Sequence, residues 1–199
     1  MSSQNINKNE SDLWLSFIEG ENEAFSSLYR LCYPKLYAYG CRLGMSDAEV
    51  RDVIQDIFLK IYTRPELVKD RFTIRAFLFA SIKNAYINLG HYGDRLVEIQ
   101  NISDFEFTFS VENNALEEKE ERENMSALIK RILDGLTPRQ REIIYLRFLH
   151  QMDYKEIAVI MNLSEQAARN LTHRAMDKLR KENDTGFLIL ILFCLKSII

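Results

Sequence analysis

Three times along this 199-residue chain, a Ser, Thr or Asp is followed three positions later by Glu or Gln and then by an apolar run. The pairs are Ser46 with Glu49, Thr137 with Gln140, and Asp153 with Glu156. The first side chain of each pair accepts from a backbone N–H of the new helix and the second reaches back to the capping residue, so donors that a helix start leaves unmet are satisfied. Pro138 directly after Thr137 fits the first helical position, where its fixed φ is already helical. The signals predict helices, and the composition agrees. Seven Gly and three Pro are few for a turn-rich β architecture, and 47% hydrophobic residues exclude disorder throughout. The three cysteines Cys32, Cys41 and Cys194 contain no CxxC pair and leave one over, so they predict reduced thiols rather than a disulfide framework or zinc cluster.

The apolar periods place the remaining elements. Four N-terminal helices are predicted: Asp12–Glu19; Glu23–Leu43, kinked or split at Pro34; Ser46 to about Tyr62; and Thr73 to Leu89, ending at Gly90. In the third, Val50, Val53, Ile54, Ile57, Phe58 and Ile61 recur at helical spacing, with Met45 and Val50 placed as a hydrophobic staple over the capping box. The fourth has a predicted core face of Leu78, Ile82, Ala85 and Leu89. From Tyr92 to Asn114 no period persists. Helices are then predicted over Leu116–Asp134, from Thr137 through the apolar positions Ile143, Ile144, Leu146 and Phe148, from Asp153 to Met161, and from Glu165 to about Lys181. The fold expected is all-α: two small helical domains, 12–92 and 116–182, joined by an acidic linker, 93–115, and followed by a hydrophobic tail, 183–199.

Charge separates these pieces. The formal net charge is −3, yet residues 1–93 are balanced, 94–123 carry −7 and 124–182 carry +4. A basic domain beside an acidic segment points to a nucleic-acid contact that the overall value conceals.

Residues 153–181 have the layout of a helix-turn-helix, with the turn at Asn162-Leu163-Ser164. On the last helix Ala168, Leu171, Ala175 and Leu179 form the packing side, while Arg169, Asn170, His173 and Arg174 share another side, with Glu165 and Gln166 one turn earlier. Arg, Asn and Gln can make paired hydrogen bonds to guanine or adenine in the major groove. Ser164, as N-cap, leaves backbone N–H groups near enough to meet a phosphate. A solvated helix pair in a small bundle has the same spacing.

Five stretches in order carry a family resemblance: Glu23-Ala24-Phe25 with Leu28-Tyr29; Asp52 through Tyr62; Phe77-Leu78-Phe79 with Lys83-Asn84; Leu136 through Glu142; and Tyr154-Lys155-Glu156-Ile157-Ala158. Over 13–92 and 116–181 the chain resembles an RNA polymerase sigma factor of the extracytoplasmic-function (ECF) type, within the sigma-70 superfamily. The resemblance implies a transcription-initiation subunit that binds core RNA polymerase at the β′ clamp and β flap, reads promoter DNA at −10 and −35, and is commonly held by an anti-sigma factor. It implies no cofactor, metal or small-molecule substrate, and a cytoplasmic protein.

Residue by residue, the resemblance assigns polymerase binding to Asp52, Gln55, Asp56 and Lys60. It assigns −10 recognition to the helix carrying Phe79, Lys83, Asn84, Tyr86 and Asn88, whose rings, amides and cation suit unstacked bases; Asn84 matches the position closest to the family's base pocket. It assigns −35 recognition to Ser164, Gln166, Arg169, Asn170, His173 and Arg174. The chain departs from the family in two places: Gly90–Gln100 contains only Arg95 where several basic residues are usual, and Gln166-Ala167-Ala168 replaces the usual Gly-Thr-Val. A stand-alone helix-turn-helix regulator is the alternative, and it needs only 116–181. No phosphate loop, nucleophile elbow or metal-ligand cluster points to an enzyme. The tail Gly186–Ile199, eleven apolar residues in fourteen, is too short to span a bilayer. It is expected to mask a functional face, with docking on a partner or membrane, or no committed role, as the other readings. No apolar leader precedes Asp12, so no signal peptide is expected.

Overall fold

The computed structural model describes residues 9–68, 73–91, 105 and 132–182. The chain divides into two compact units, Met1–Asp94 and Arg95–Ile199. Every regular element among the described residues is helical. Most of the linker, most of the helix expected over Leu116–Asp134, and the tail 183–199 lie outside the described residues.

The first unit contains α1 (Glu10–Ile18), α2 (Asn22–Leu43), α3 (Asp47–Thr63) and α4 (Ile74–Tyr86). α1 begins earlier than predicted because Asn9 is its cap: the Asn9 side chain accepts from the Ser11 and Asp12 amides, and Asp12 returns the bond. α2 does not split. Pro34 lies inside one helix of 22 residues, although an interior proline costs about 3 kcal/mol. Leu28, Cys32, Leu36 and Tyr39 are buried on both sides of it. At roughly 1.5–3 kcal/mol for each large apolar side chain, that burial outweighs the proline. Ser46 and Glu49 form the expected capping box on α3, and the staple residues Met45 and Val50 are both buried above it. α4 ends in a π-type turn, Ile87–His91, where Gly90 takes a φ of +78°, a left-handed value open to glycine.

α1 is also tied down by charge. Lys35 Nζ on α2 lies 2.6 Å from Glu10 Oε1. Burial opposes ionisation of Glu10, but the Lys35 hydrogen bond and the Lys35 and Arg75 charges outweigh it and hold the carboxyl below its ordinary range. Burial pushes the Cys32 thiol beside this pair up to about 12, so it stays protonated.

The second unit contains α5 (Pro138–Ile144), α6 (Tyr154–Met161) and α7 (Glu165–Glu182), preceded by a helical turn at 132–134. Thr137 with Gln140 and Asp153 with Glu156 form the two expected capping boxes. α5 continues into a π-type turn, Tyr145–Leu149. Between α6 and α7, Asn162 adopts the left-handed conformation at φ +50°, which Asn tolerates better than most residues, and the Ser164 hydroxyl accepts from the Ala167 amide. The core takes Ile143, Ile144 and Leu146 from the α5 segment, Ile157, Ile160 and Met161 from α6, and Ala168, Leu171, Ala175 and Leu179 from α7. Phe105 joins them. Read in the sequence as part of the linker, it is fully buried, with its ring edge-on to Tyr145 at 5.4 Å.

Two stability predictions follow from the first unit. A Cβ added at Gly40 would lie 2.8 Å from Val50 Cγ2, a fully buried side chain with little room to move. Gly40→Ala should therefore lower stability by about 1–3 kcal/mol from overpacking, offset only partly by the ~0.5–1 kcal/mol that Ala gains over Gly within a helix. A lower thermal midpoint than wild type checks this. The depressed Glu10 pKa means its contribution is complete above the ordinary carboxylate range and is lost as the pH falls through the lower folded value. In thermal melts across pH, Glu10→Gln should be less stable than wild type at neutral pH and converge with it in acid.

Candidate nucleic-acid interface

α7 divides cleanly. Its apolar series is buried as the period predicts, and Ser164, Gln166, Arg169, Asn170, His173 and Arg174 are all exposed. These side chains are already organised. Gln166 Nε2 donates to Asn170 Oδ1 at 3.0 Å, and Arg169 Nη2 donates to Glu165 Oε1 at 2.5 Å. The Arg169 guanidinium also lies over the Tyr154 ring, 4.5 Å from its centroid. Arg147 lies over the same ring at 4.8 Å and donates to the Met152 carbonyl at 2.7 Å. Neither Arg147 nor Tyr154 stood out as a site residue in the sequence. No period relates Tyr154 to an arginine fifteen residues later; only the turn between α6 and α7 joins them.

On α3, Asp52, Gln55, Asp56 and Lys60 are exposed, as predicted. Leu59 and Tyr62 are at least half exposed on the same helix, so the polar face has an apolar margin that the sequence, read as alternating core and polar positions, did not single out. The Tyr62 ring contacts Phe17 at 5.7 Å and Phe25 at 5.1 Å, which anchors that margin to α1 and α2.

The α4 assignments need correction. Asn84 and Asn88 are exposed, but Phe79 (2% exposed), Tyr86 (3%) and Lys83 (7%) are buried. They do not present rings or a cation to a base. The core face is rotated from the predicted one: Ile74, Leu78, Phe79, Ile82, Lys83 and Tyr86 face inward, Ala85 is half-buried, and Leu89 is 48% exposed. The reason lies in α2, which packs against α4 and brings Tyr39 to 5.0 Å from Phe79. Burying two large rings removes more apolar surface than burying Ala85 and Leu89.

Between α3 and α4 runs a groove of about 260 Å³. Asp56 and Lys60 line it from α3, Phe77, Ser81 and Asn84 from α4, and Asn88 from the turn that follows α4. Val53, Ile57, Leu67 and Ala85 complete an apolar lining around the half-buried Phe77 ring, and two amides and one charge of each sign stand among them. Among the described residues, no group of His, Cys, Asp and Glu could hold a metal ion. None of the described helices is long and apolar enough to cross a membrane.

Comparison with known proteins gives consistent matches. Residues 28–91 match Sigma-70 region 2 and residues 132–181 match Sigma-70, region 4, together more than half of the chain. The RNA polymerase sigma-E factor of Streptomyces coelicolor is 26% identical over 163 residues, 82% of this chain and 88% of its own. The ECF RNA polymerase sigma factor SigM of Bacillus subtilis is 23% identical over 159 residues, 80% of this chain and 94% of its own. The solved structure of CnrH in complex with the cytosolic domain of CnrY shares the fold, with a TM-score of 0.55 at 21% identity over 89% of this chain and 99% of that one.

The exposed cations of α7 predict that affinity of the chain for a labelled DNA duplex falls as salt rises, because phosphate contacts release counterions. Arg174→Ala should reduce the log–log salt slope by about one, read by fluorescence anisotropy across a salt series.

Proposed function

Because the chain belongs to the sigma-70 family of RNA polymerase sigma factors, in its ECF branch, it directs transcription initiation, and we propose a division of that work among its surfaces. The α3 face of Asp52, Gln55, Asp56 and Lys60 docks on the β′ clamp, its two carboxylates one helical turn apart accepting from Arg on the partner. The exposed side of α7 enters the major groove at the −35 element. The groove between α3 and α4 receives a base unstacked from the −10 element, with Asn84 and Asn88 reading its edge and Phe77 lying alongside.

The observation that carries this reading is the groove itself. Asp56 and Lys60 of the polymerase-facing helix and Asn84 and Asn88 of the promoter-facing helix line one cleft. Docking on polymerase and capture of a base therefore act on the same pair of helices. A stand-alone regulator would need only residues 116–181 and leave the match over 28–91 without a role. The protein acts in the cytoplasm, without catalysis of its own. Its polymerase contacts extend to the β flap through the apolar surface of the segments 116–134 and 139–149. Like CnrH, which was solved with the cytosolic domain of CnrY, it is held by an anti-sigma partner.

The full chain should co-elute with core bacterial RNA polymerase in size-exclusion chromatography, and Asp56→Arg should abolish this while leaving the helical circular-dichroism spectrum unchanged. Asn84→Ala should keep co-elution and lose promoter melting, read by permanganate footprinting. Co-elution of Asp56→Arg would remove α3 from the polymerase contact.

A further inference from the structure

The recognition helix is held by a residue outside it. Among the described residues, the contacts of the Arg169 side chain are Glu165 and the Tyr154 ring. A guanidinium lying on a ring uses its face and leaves the N–H donors of its edge, in the plane, free for acceptors. With Glu165 occupying Nη2, the rest of that edge remains to be offered to a guanine, which needs two donors in fixed geometry. Tyr154 is itself well fixed. It is the first residue of α6, directly after the Asp153 capping box. Its ring also carries Arg147, whose Nη1 is bonded to the Met152 carbonyl in the turn before α6. A long exposed arginine normally gives up considerable rotamer freedom when it binds. Arg169 has already given up part of it.

We propose that Tyr154, backed by Arg147, is a positioning residue for base recognition: it aims Arg169 at one base of the −35 element and so sets specificity at that base without touching it. This rests on α7 being the −35 recognition helix. Tyr154 then acts on one position of the DNA site, whereas the phosphate contacts of α7 act on all sequences alike. Arg147 sits on the ring and not on α7, so its removal should loosen Tyr154 and weaken the same preference indirectly.

The test is selection of duplexes by the full chain in complex with core bacterial RNA polymerase, from a DNA library randomised over the −35 segment, followed by sequencing. Wild type and Arg169→Ala are compared first, to find the base whose preference Arg169 supplies. Tyr154→Leu should lower discrimination at that same base by about 2- to 5-fold while preferences at the other positions persist, and Tyr154→Phe, which keeps the ring, should restore it. Retention of the full preference in Tyr154→Leu would overturn the proposal. So would an equal loss at every position, which is what a merely structural role or a misfolded domain produces. Wild type selecting no sequence at all would overturn the reading of α7 itself, a failure distinct from the other two.

Discussion

An eight-residue helix does not persist in water by itself, because nucleation is unfavourable and too few bonds follow to repay it. α6 is such a helix, and α5 is shorter still. What fixes both is the chemistry of their ends: a capping residue, a returning Glu or Gln, and an apolar stripe that seals against the neighbouring helix. A capping box also starts α3, through Glu49, and α1, where Asp12 returns the bond. Because each start is fixed, the phase of each helix is fixed, and the phase decides which side chains reach water. On α7 this phase begins at Ser164, two residues past the left-handed Asn162. A slip by a single residue would rotate the helix by about 100° and bury part of the row that now faces outward.

The surfaces proposed for function follow from that phase. α7 buries small residues, Ala168 and Ala175, where it crosses the rest of its unit, which keeps the helices close and leaves a slim polar row on the other side. α3 buries Ile54, Ile57, Phe58 and Ile61 and turns two carboxylates, an amide and a lysine outward. Neither surface needs catalytic chemistry. Each is a rigid display of hydrogen-bonding groups, and its precision depends on neighbours that hold the display, as Tyr154 holds Arg169.

The helix starts at Ser46, Thr137 and Asp153 were the most legible feature of the sequence, since a capping box is local and every group it needs lies within four residues; the start at Asn9 escaped because an Asp, not a Glu or Gln, returns its bond. The burial of Ala168, Leu171, Ala175 and Leu179 and the exposure of the α3 carboxylates were legible for a related reason: polar and apolar residues there differ sharply. α4 was not legible in the same way. Phe77, Phe79, Ala85, Tyr86 and Leu89 are all apolar or aromatic, so several faces compete, and the choice was made by Tyr39 on another helix. Phe105 and the Tyr154 platform were hidden because their partners, Tyr145, Arg147 and Arg169, come from other elements of the unit. Pro34 misled in the opposite direction, since a local rule was overridden by burial along α2.

On the proposed function, this chain gives polymerase a promoter choice through two separate readers. This is tested most directly by transcribing genomic fragments of the source organism with core bacterial RNA polymerase, with and without the full chain, and sequencing the RNA 5′ ends. A set of starts that require the chain and share two upstream motifs at near-constant spacing is expected, the proximal motif losing definition with Asn84→Ala and the distal one with Arg169→Ala. An identical set of starts with and without the chain would contradict the proposed function.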